Sequence, residues 1–182
     1  MEITVRKAEK NDFPILRKLY KEAFPPNERK PFFLIKRSAK KGFTEILSIC
    51  CPECCGMAVT FCFDDIVLLA YFAVSPSQRG GGIGSKAIKE IMNRYQGKRF
   101  ILEIEDTEVP CGNHEQRVRR KSFYLKNGLK DSQMRVFIFN MEMEILIGGE
   151  NITFDEYRSI YEKAAGRHFA NRIRLLSGKR GR

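Results

Sequence analysis

From Gln78 to Ser85 the chain reads Gln-Arg-Gly-Gly-Gly-Ile-Gly-Ser, with four glycines in five residues. Glycine admits backbone conformations closed to other residues and lets a ligand approach the main chain, while a following helix adds its positive N-terminal end. Such a loop can wrap successive N–H groups around an anion, so the chemistry it points to is phosphate or pyrophosphate binding. Two familiar cradles fit poorly. The P-loop needs lysine directly after its last glycine, and Ser85 stands there. A dinucleotide fingerprint exists in weak form, Gly82-Ile83-Gly84-Ser85-Lys86-Ala87, with Glu103 and Glu105 about twenty residues on. Against it, Ser75 to Gln78 separate strand from loop, and roughly seventy residues precede a unit that usually opens its domain.

Two other clusters carry reactive groups. Cys50-Cys51-Pro52-Glu53-Cys54-Cys55 contains a C-x-x-C pair, Cys51 and Cys54, but a structural zinc site needs four ligands, and Cys62, Cys111, His114 and His168 are scattered. The run reads more simply as a hairpin turn at Pro52-Glu53 with free thiols, and no metal is expected. Glu103 and Glu105 alternate with Leu102 and Ile104, which sets both carboxylates on one face of a strand.

The elements that must position these groups follow from periodicity. Ile3 and Val5 alternate with polar neighbours in a short first strand. Asn11 or Asp12 can cap a helix with apolar positions Ile15, Leu16, Leu19, Tyr20 and Ala23, stopped by Pro25-Pro26. A second helix runs from Pro31 to Gly42. Strands near Thr44–Ile49, Met57–Phe63 and Ile66–Val74 form an antiparallel meander through the cysteine turn and Asp64-Asp65. The segment after the glycines has apolar residues at Ile83, Ala87, Ile88, Ile91, Met92 and Tyr95 and ends near Gln96-Gly97; the next strand is Phe100–Glu105. A strand, helix, strand crossover makes Ile66–Val74 and Phe100–Glu105 parallel. Glu115 to Asn127 is a helix closed by Gly128, and Gln133 to Ile147 is strand-like with a bend at Asn140. Thr153-Phe154-Asp155-Glu156 is a capping box that opens a further helix, interrupted by Gly166. No acidic residue follows Arg167, and residues 178–182 form a basic tail.

Within this frame, Gln78-Arg79-Gly80-Gly81-Gly82-Ile83-Gly84 resembles the coenzyme A pyrophosphate loop of the GNAT N-acetyltransferase family, Q/R-x-x-G-x-G/A, through Arg79, Gly82 and Gly84. Ala73-Val74-Ser75-Pro76 looks like that family's strand end. Phe123-Tyr124-Leu125-Lys126-Asn127-Gly128-Leu129 resembles its FY-x-K-x-GF signature, and Phe24-Pro25-Pro26-Asn27-Glu28-Arg29 its FP-x-x-ER segment. The resemblance covers roughly Ile3 to Ile147, with its specific motifs between Phe72 and Leu129.

The resemblance implies an α/β GNAT acyl-CoA N-acyltransferase-like fold, a mixed central sheet flanked by helices, with splayed parallel fourth and fifth strands. Residues 1–150 would be the acetyltransferase domain and 151–182 a C-terminal helical extension with a basic tail. It further implies acetyl-CoA as acetyl donor, bound by Phe72, Ala73, Val74, Arg79, Gly80, Gly81, Gly82, Ile83, Gly84 and Ser85. Glu28 and Arg29 would meet the acceptor. Tyr124 would protonate the departing thiolate, which suits a phenol whose pKa lies within about two units of a thiol's. The family's fourth-strand glutamate has no counterpart near Ala70 to Phe72, so Glu105, or else Glu103, is the candidate general base. Arg117 stands where many members carry a coenzyme-contacting asparagine.

Composition narrows the classes. The chain has 182 residues, a formal charge of +11 and no apolar stretch long enough to span a membrane. Taken with the resemblance, which implies direct transfer of acetyl to a primary amine on a small molecule or peptide, a cytoplasmic enzyme is expected, monomeric or homodimeric. A membrane is excluded as partner and nucleic acid disfavoured. The alternatives are a dinucleotide-dependent oxidoreductase, or a nucleic-acid-binding module using the basic C-terminal extension.

Overall fold

A computed structural model describes residues 2–26 and 29–176, which fall into two units, one up to Lys98 and the other from Arg99 onward. The first unit opens with β1 (Thr4–Lys7), a 3-10 turn at Lys10–Asp12, α1 (Phe13–Ala23) and α2 (Phe32–Lys40). It continues through β2 (Thr44–Cys50), β3 (Cys54–Phe63) and β4 (Ile66–Val74), then a 3-10 turn at Pro76–Gln78 and α3 (Ile83–Arg94). The strands pair antiparallel in the order β1-β2-β3-β4, and tight turns join β2 to β3 and β3 to β4, setting Cys50 opposite Cys54 and Phe63 opposite Ile66. β4 is apolar throughout and mostly buried, which is why it sits inside a sheet.

The core of this unit gathers Leu16, Leu19 and Tyr20 of α1, Ile35 of α2, and Ile46, Met57, Val59, Tyr71 and Ala73 of the strands. Ile15, expected on the same face as Leu16 and Leu19, is instead 50% exposed, because the covered stripe is narrower than the apolar spacing suggests. Asp12 precedes α1, but its side chain does not cap the helix. It accepts instead from Arg6 at 2.7 and 3.0 Å, from the Glu9 N–H at 2.8 Å and from Ser48 at 2.8 Å, tying β1 and β2 to the start of α1.

The second unit comprises β5 (Arg99–Glu105), α4 (His114–Lys126), β6 (Lys130–Ile138), β7 (Met141–Gly148), α5 (Phe154–Ala165), α6 (Arg167–Ala170) and β8 (Arg174–Leu175). Its strands pair antiparallel in the order β5-β7-β6-β8. The expected bend between β6 and β7 is a two-residue turn with φ of +54° at Phe139 and +61° at Asn140, the pairing of two left-handed residues that closes a type I′ hairpin. Phenylalanine is an unusual choice there; its ring packs on Tyr161 and Phe169 at centroid distances of 5.9 and 5.5 Å. β6 begins at Lys130, ahead of the expected Gln133, because Gln133 has φ +64° inside a bulge between Asp131 and Arg135. The capping box forms as read: the Thr153 hydroxyl accepts from the Glu156 N–H while Glu156 reaches back to the Thr153 N–H. Residues beyond 150 pack within this unit, through α5 side chains on β5 and β8 on β6. Ser177 to Arg182, which include the basic tail, lie outside the described residues, as do Asn27 and Glu28.

Candidate active site

In the first unit, β4 delivers its chain into the glycine loop. Val74 lies opposite Gly56, and the Ser75 N–H bonds to the Cys55 carbonyl at 2.8 Å. Antiparallel alternation then turns the main-chain groups of Ala73 and Ser75 toward β3 and those of Phe72 and Val74 away from it. The Val74 carbonyl meets the Arg79 side chain, whose Nε donates to it at 3.1 Å. Gly56 is needed under this strand: a Cβ there would stand 2.8 Å from the Ala73 carbonyl oxygen.

Past the 3-10 turn, Gly80 and Gly82 adopt φ of +88° and +77°. Gly82 is the N-cap of α3, and the first helical hydrogen bond runs from the Lys86 N–H to the Gly82 carbonyl at 3.1 Å. The N–H groups from Gly80 to Ser85 consequently have no acceptor among the described residues. A Cβ on Gly80, Gly81 or Gly82 would meet no atom within 4 Å, so the space beside these three glycines is open. Successive amide donors, an open main chain and a helix N-terminus fit the pyrophosphate of a coenzyme. Beneath the loop, Ile83 and Ala87 pack with Cys51 and Cys55 of the cysteine hairpin. All six cysteines are free thiols. Among the described residues no three His, Cys, Asp or Glu side chains are grouped to hold a metal.

The α1–α2 connector is held by two phenols: Tyr20 donates to the Lys30 carbonyl at 3.0 Å, and Tyr71 of β4 accepts from the Lys30 N–H at 3.2 Å. Tyr20, Phe24, Phe32 and Tyr71 form one aromatic cluster with centroid spacings of 4.9 to 5.5 Å. Arg29 is half-buried and donates to the Lys21 carbonyl at 3.3 Å. Glu28, paired with it in the sequence reading, lies outside the described residues. The sequence offered no cue to the phenol pair, since Tyr20 and Tyr71 read as ordinary core positions.

In the second unit, Tyr124 sits on the last turn of α4 and is 9% exposed. Its backbone place is fixed by a Schellman closure: the Leu129 N–H bonds to the Tyr124 carbonyl at 3.2 Å and the Gly128 N–H to the Leu125 carbonyl at 3.2 Å, with Gly128 at φ +99°. Burial pushes its phenol up to about 12, with the Arg120 guanidinium acting in the opposite sense. Its hydroxyl bonds to none of the described residues, yet it is not among the buried atoms left without a partner. The group is a protonated donor with hydrogen-bonding capacity unspent.

The two glutamates of β5 share one face, as the alternation required, and that face is covered. Glu105 pairs with Arg117 at 2.7 Å and Arg120 at 3.1 Å, both on α4. Glu103 accepts from the hydroxyls of Tyr157 and, at 2.6 Å, Tyr161, both on α5. Arg117 also donates to the Asp106 carbonyl at 3.2 Å, so it is committed within its own unit. Nearby, Glu144 has no solvent exposure and is matched by Lys121, by Arg135 at 3.1 Å and by the Thr107 N–H at 2.7 Å. These charges neutralise one another in place.

No protein-family profile matches the chain, and no curated protein matches it. Solved structures do. A putative GNAT-family acetyltransferase from Bacteroides thetaiotaomicron superposes with a TM-score of 0.72 at 20% identity, covering 92% of this chain and 98% of that one. A GNAT-family acetyltransferase from Elizabethkingia anophelis, solved with acetyl-CoA bound, gives 0.61 at 17% identity over 81% of this chain and 98% of that one. The ribosomal-protein-S18-alanine N-acetyltransferase of Escherichia coli gives 0.60 at 14% identity over 84% and 96%. The chain therefore has the fold of the GNAT acetyltransferases, with helices and strands in the α/β arrangement that its motifs implied.

Proposed function

We propose that this protein is an acetyl-CoA-dependent N-acetyltransferase that moves an acetyl group directly onto a primary amine. The observation that carries the reading is the run of acceptor-free amides from Gly80 to Ser85 around an open glycine loop, on a GNAT fold. Bound there, acetyl-CoA supplies an activated acyl group on a thiol leaving group. The loop residues Arg79 to Ser85 hold the pyrophosphate, the strand end from Phe72 to Val74 runs beside the pantetheine arm, and the Val74 N–H is assigned to the thioester oxygen. Ala73, whose main chain is spent on β3, contributes packing. Tyr124 supplies a proton, or a strong hydrogen bond, to the leaving sulfur.

Neither Glu103 nor Glu105 is assigned as base. Each carboxylate already accepts from two donors, and solvent is the better candidate for removing the ammonium proton. Arg29, beside the tyrosine-pinned connector, is retained as an acceptor-side residue.

The test is acetyl-CoA titration by calorimetry, followed by thiol release measured across a panel of primary amines. Saturable binding with release in the presence of at least one amine is expected. A folded protein that binds no acetyl-CoA overturns the reading.

A further inference from the structure

We propose that the outward face of α2 is a docking surface for an acidic peptide segment that carries an apolar side chain. The proposal is independent of the acetyl-transfer reading. Its first support is the arrangement of α2 itself. Ile35 is buried in the core and Ser38 bonds to Thr44 at 2.7 Å, which fixes the rotation of the helix. That rotation turns Phe33 outward at 68% exposure and Leu34 at 42%. At one hundred degrees per residue, Lys36, Arg37 and Lys40 fall on the same side as Phe33, so one stripe presents an aromatic ring followed by cations.

The charge of the segment supplies the second support. From Arg29 through Phe43 there are six Lys or Arg residues, Arg29 included, and no Asp or Glu. Several arginines elsewhere are matched by carboxylates: Arg6 with Asp12, Arg94 with Glu45, Arg99 with Glu156, Arg117 with Glu105 and Arg135 with Asp131. Arg37, Lys40 and Lys41 have no ion-pair partner among the described residues, and Lys36 lies over the Phe13 ring at 4.2 Å. On α2, Lys36, Arg37 and Lys40 share one exposed stripe with Phe33 and have no carboxylate within the segment, which makes the stripe complementary to an anionic partner.

The occupant must also cover Phe33 and Leu34. A second copy of this chain packed face to face would set the same cations against themselves, which opposes a symmetric interface. For a lipid surface, the long apolar stripe of α2 would have to face outward, yet Ile35 and the half-buried Phe32 and Ala39 face the core, leaving two apolar side chains at one end. An acidic segment with a single apolar anchor satisfies both features: its carboxylates meet the cations, and its anchor rests on Phe33.

The experiment is fluorescence anisotropy of the full chain with a short labelled Glu/Asp-rich peptide bearing one central Phe, against the same peptide with Ser in that place. Phe33→Ser and the Arg37→Ala/Lys40→Ala double variant alter exposed positions, and circular dichroism checks that each folds. Expected are tighter binding of the Phe peptide and a loss of about tenfold or more in either variant. Addition of salt should weaken binding of both peptides. No binding, or binding indifferent to the peptide's Phe and to Phe33→Ser, overturns the proposal. So does a preference for phosphatidylserine vesicles or a short RNA over the peptide.

Discussion

The Arg117 guanidinium lies 2.7 Å from one carboxylate oxygen of Glu105 while Arg120 takes the other at 3.1 Å, so this carboxylate ties α4 to β5. Replacing it by glutamine leaves two guanidiniums facing a neutral amide. Because Arg120 is partly exposed, solvent offsets some of the loss, and Glu105→Gln should cost about 2 kcal/mol in urea unfolding. The acid limb of the kcat profile should stay where it is. A variant of full stability whose turnover collapses with that limb would make Glu105 the base after all.

The glycine loop allows a controlled comparison. Gly82 and Gly97 have similar left-handed φ values, +77° and +84°, and a Cβ at either would meet nothing within 4 Å. Valine at either position should therefore lose a similar amount, about 1–2 kcal/mol, from backbone strain alone. Only Gly82→Val should also weaken acetyl-CoA binding, since Gly97 lies at the far end of α3. Equal affinities in the two variants, read by calorimetry, would detach the loop from the coenzyme.

What could be read ahead of the structure was local. β4 runs from Ile66 to Val74 as its apolar run indicated, Thr153 and Glu156 cap α5, and Gly128 closes α4, because each is set by residues within a turn or a strand of one another. What could not be read was pairing at a distance. Tyr157 and Tyr161 sit one helical turn apart in a segment rightly taken for a helix, yet nothing local shows that both hydroxyls reach Glu103, more than fifty residues earlier. Asp12 likewise has the residue type of a cap, and its carboxylate is drawn away by Arg6 and Ser48. Hence the local geometry of the loop and of the end of α4 was legible, whereas the engagement of both β5 glutamates was not.

Asp12 should leave a signature in the acid stability of the protein. The hydrogen bonds from Arg6, together with those from the Glu9 N–H and Ser48, outweigh burial and hold its carboxyl at about 2 in place of the ordinary 3.8. A depressed folded pKa stabilises above the unfolded value and is lost as pH falls through the folded one. The contribution, at most about 2 kcal/mol, should thus be complete above pH 4 to 5 and disappear between about pH 4 and pH 2. Asp12→Asn should be less stable than the parent at pH 7, with the difference shrinking over that window. A constant difference down to pH 2 would show that the carboxylate charge is not what matters there.

Tyr124 separates a proton donor from a packing residue. Burial lifts its phenol to about 12, which keeps it protonated at neutral pH but widens the gap to a thiol of ordinary pKa 8.5 to roughly three and a half units. Complete transfer to the sulfur is then uphill by about 5 kcal/mol, so a hydrogen bond that strengthens as charge develops is the more economical role, and the benefit should sit at the low end for general acids. Tyr124→Phe retains the ring that stacks edge-on against Phe123 and removes only the hydroxyl. Turnover should fall by about ten- to a hundredfold, in kcat more than in KM, with acetyl-CoA affinity and melting temperature close to the parent's. The fall should lessen with an acyl donor whose leaving thiol is more acidic, because a better leaving group needs less help. Full activity in the phenylalanine variant would reduce Tyr124 to packing, and an equal fall for every donor would assign its hydroxyl to positioning.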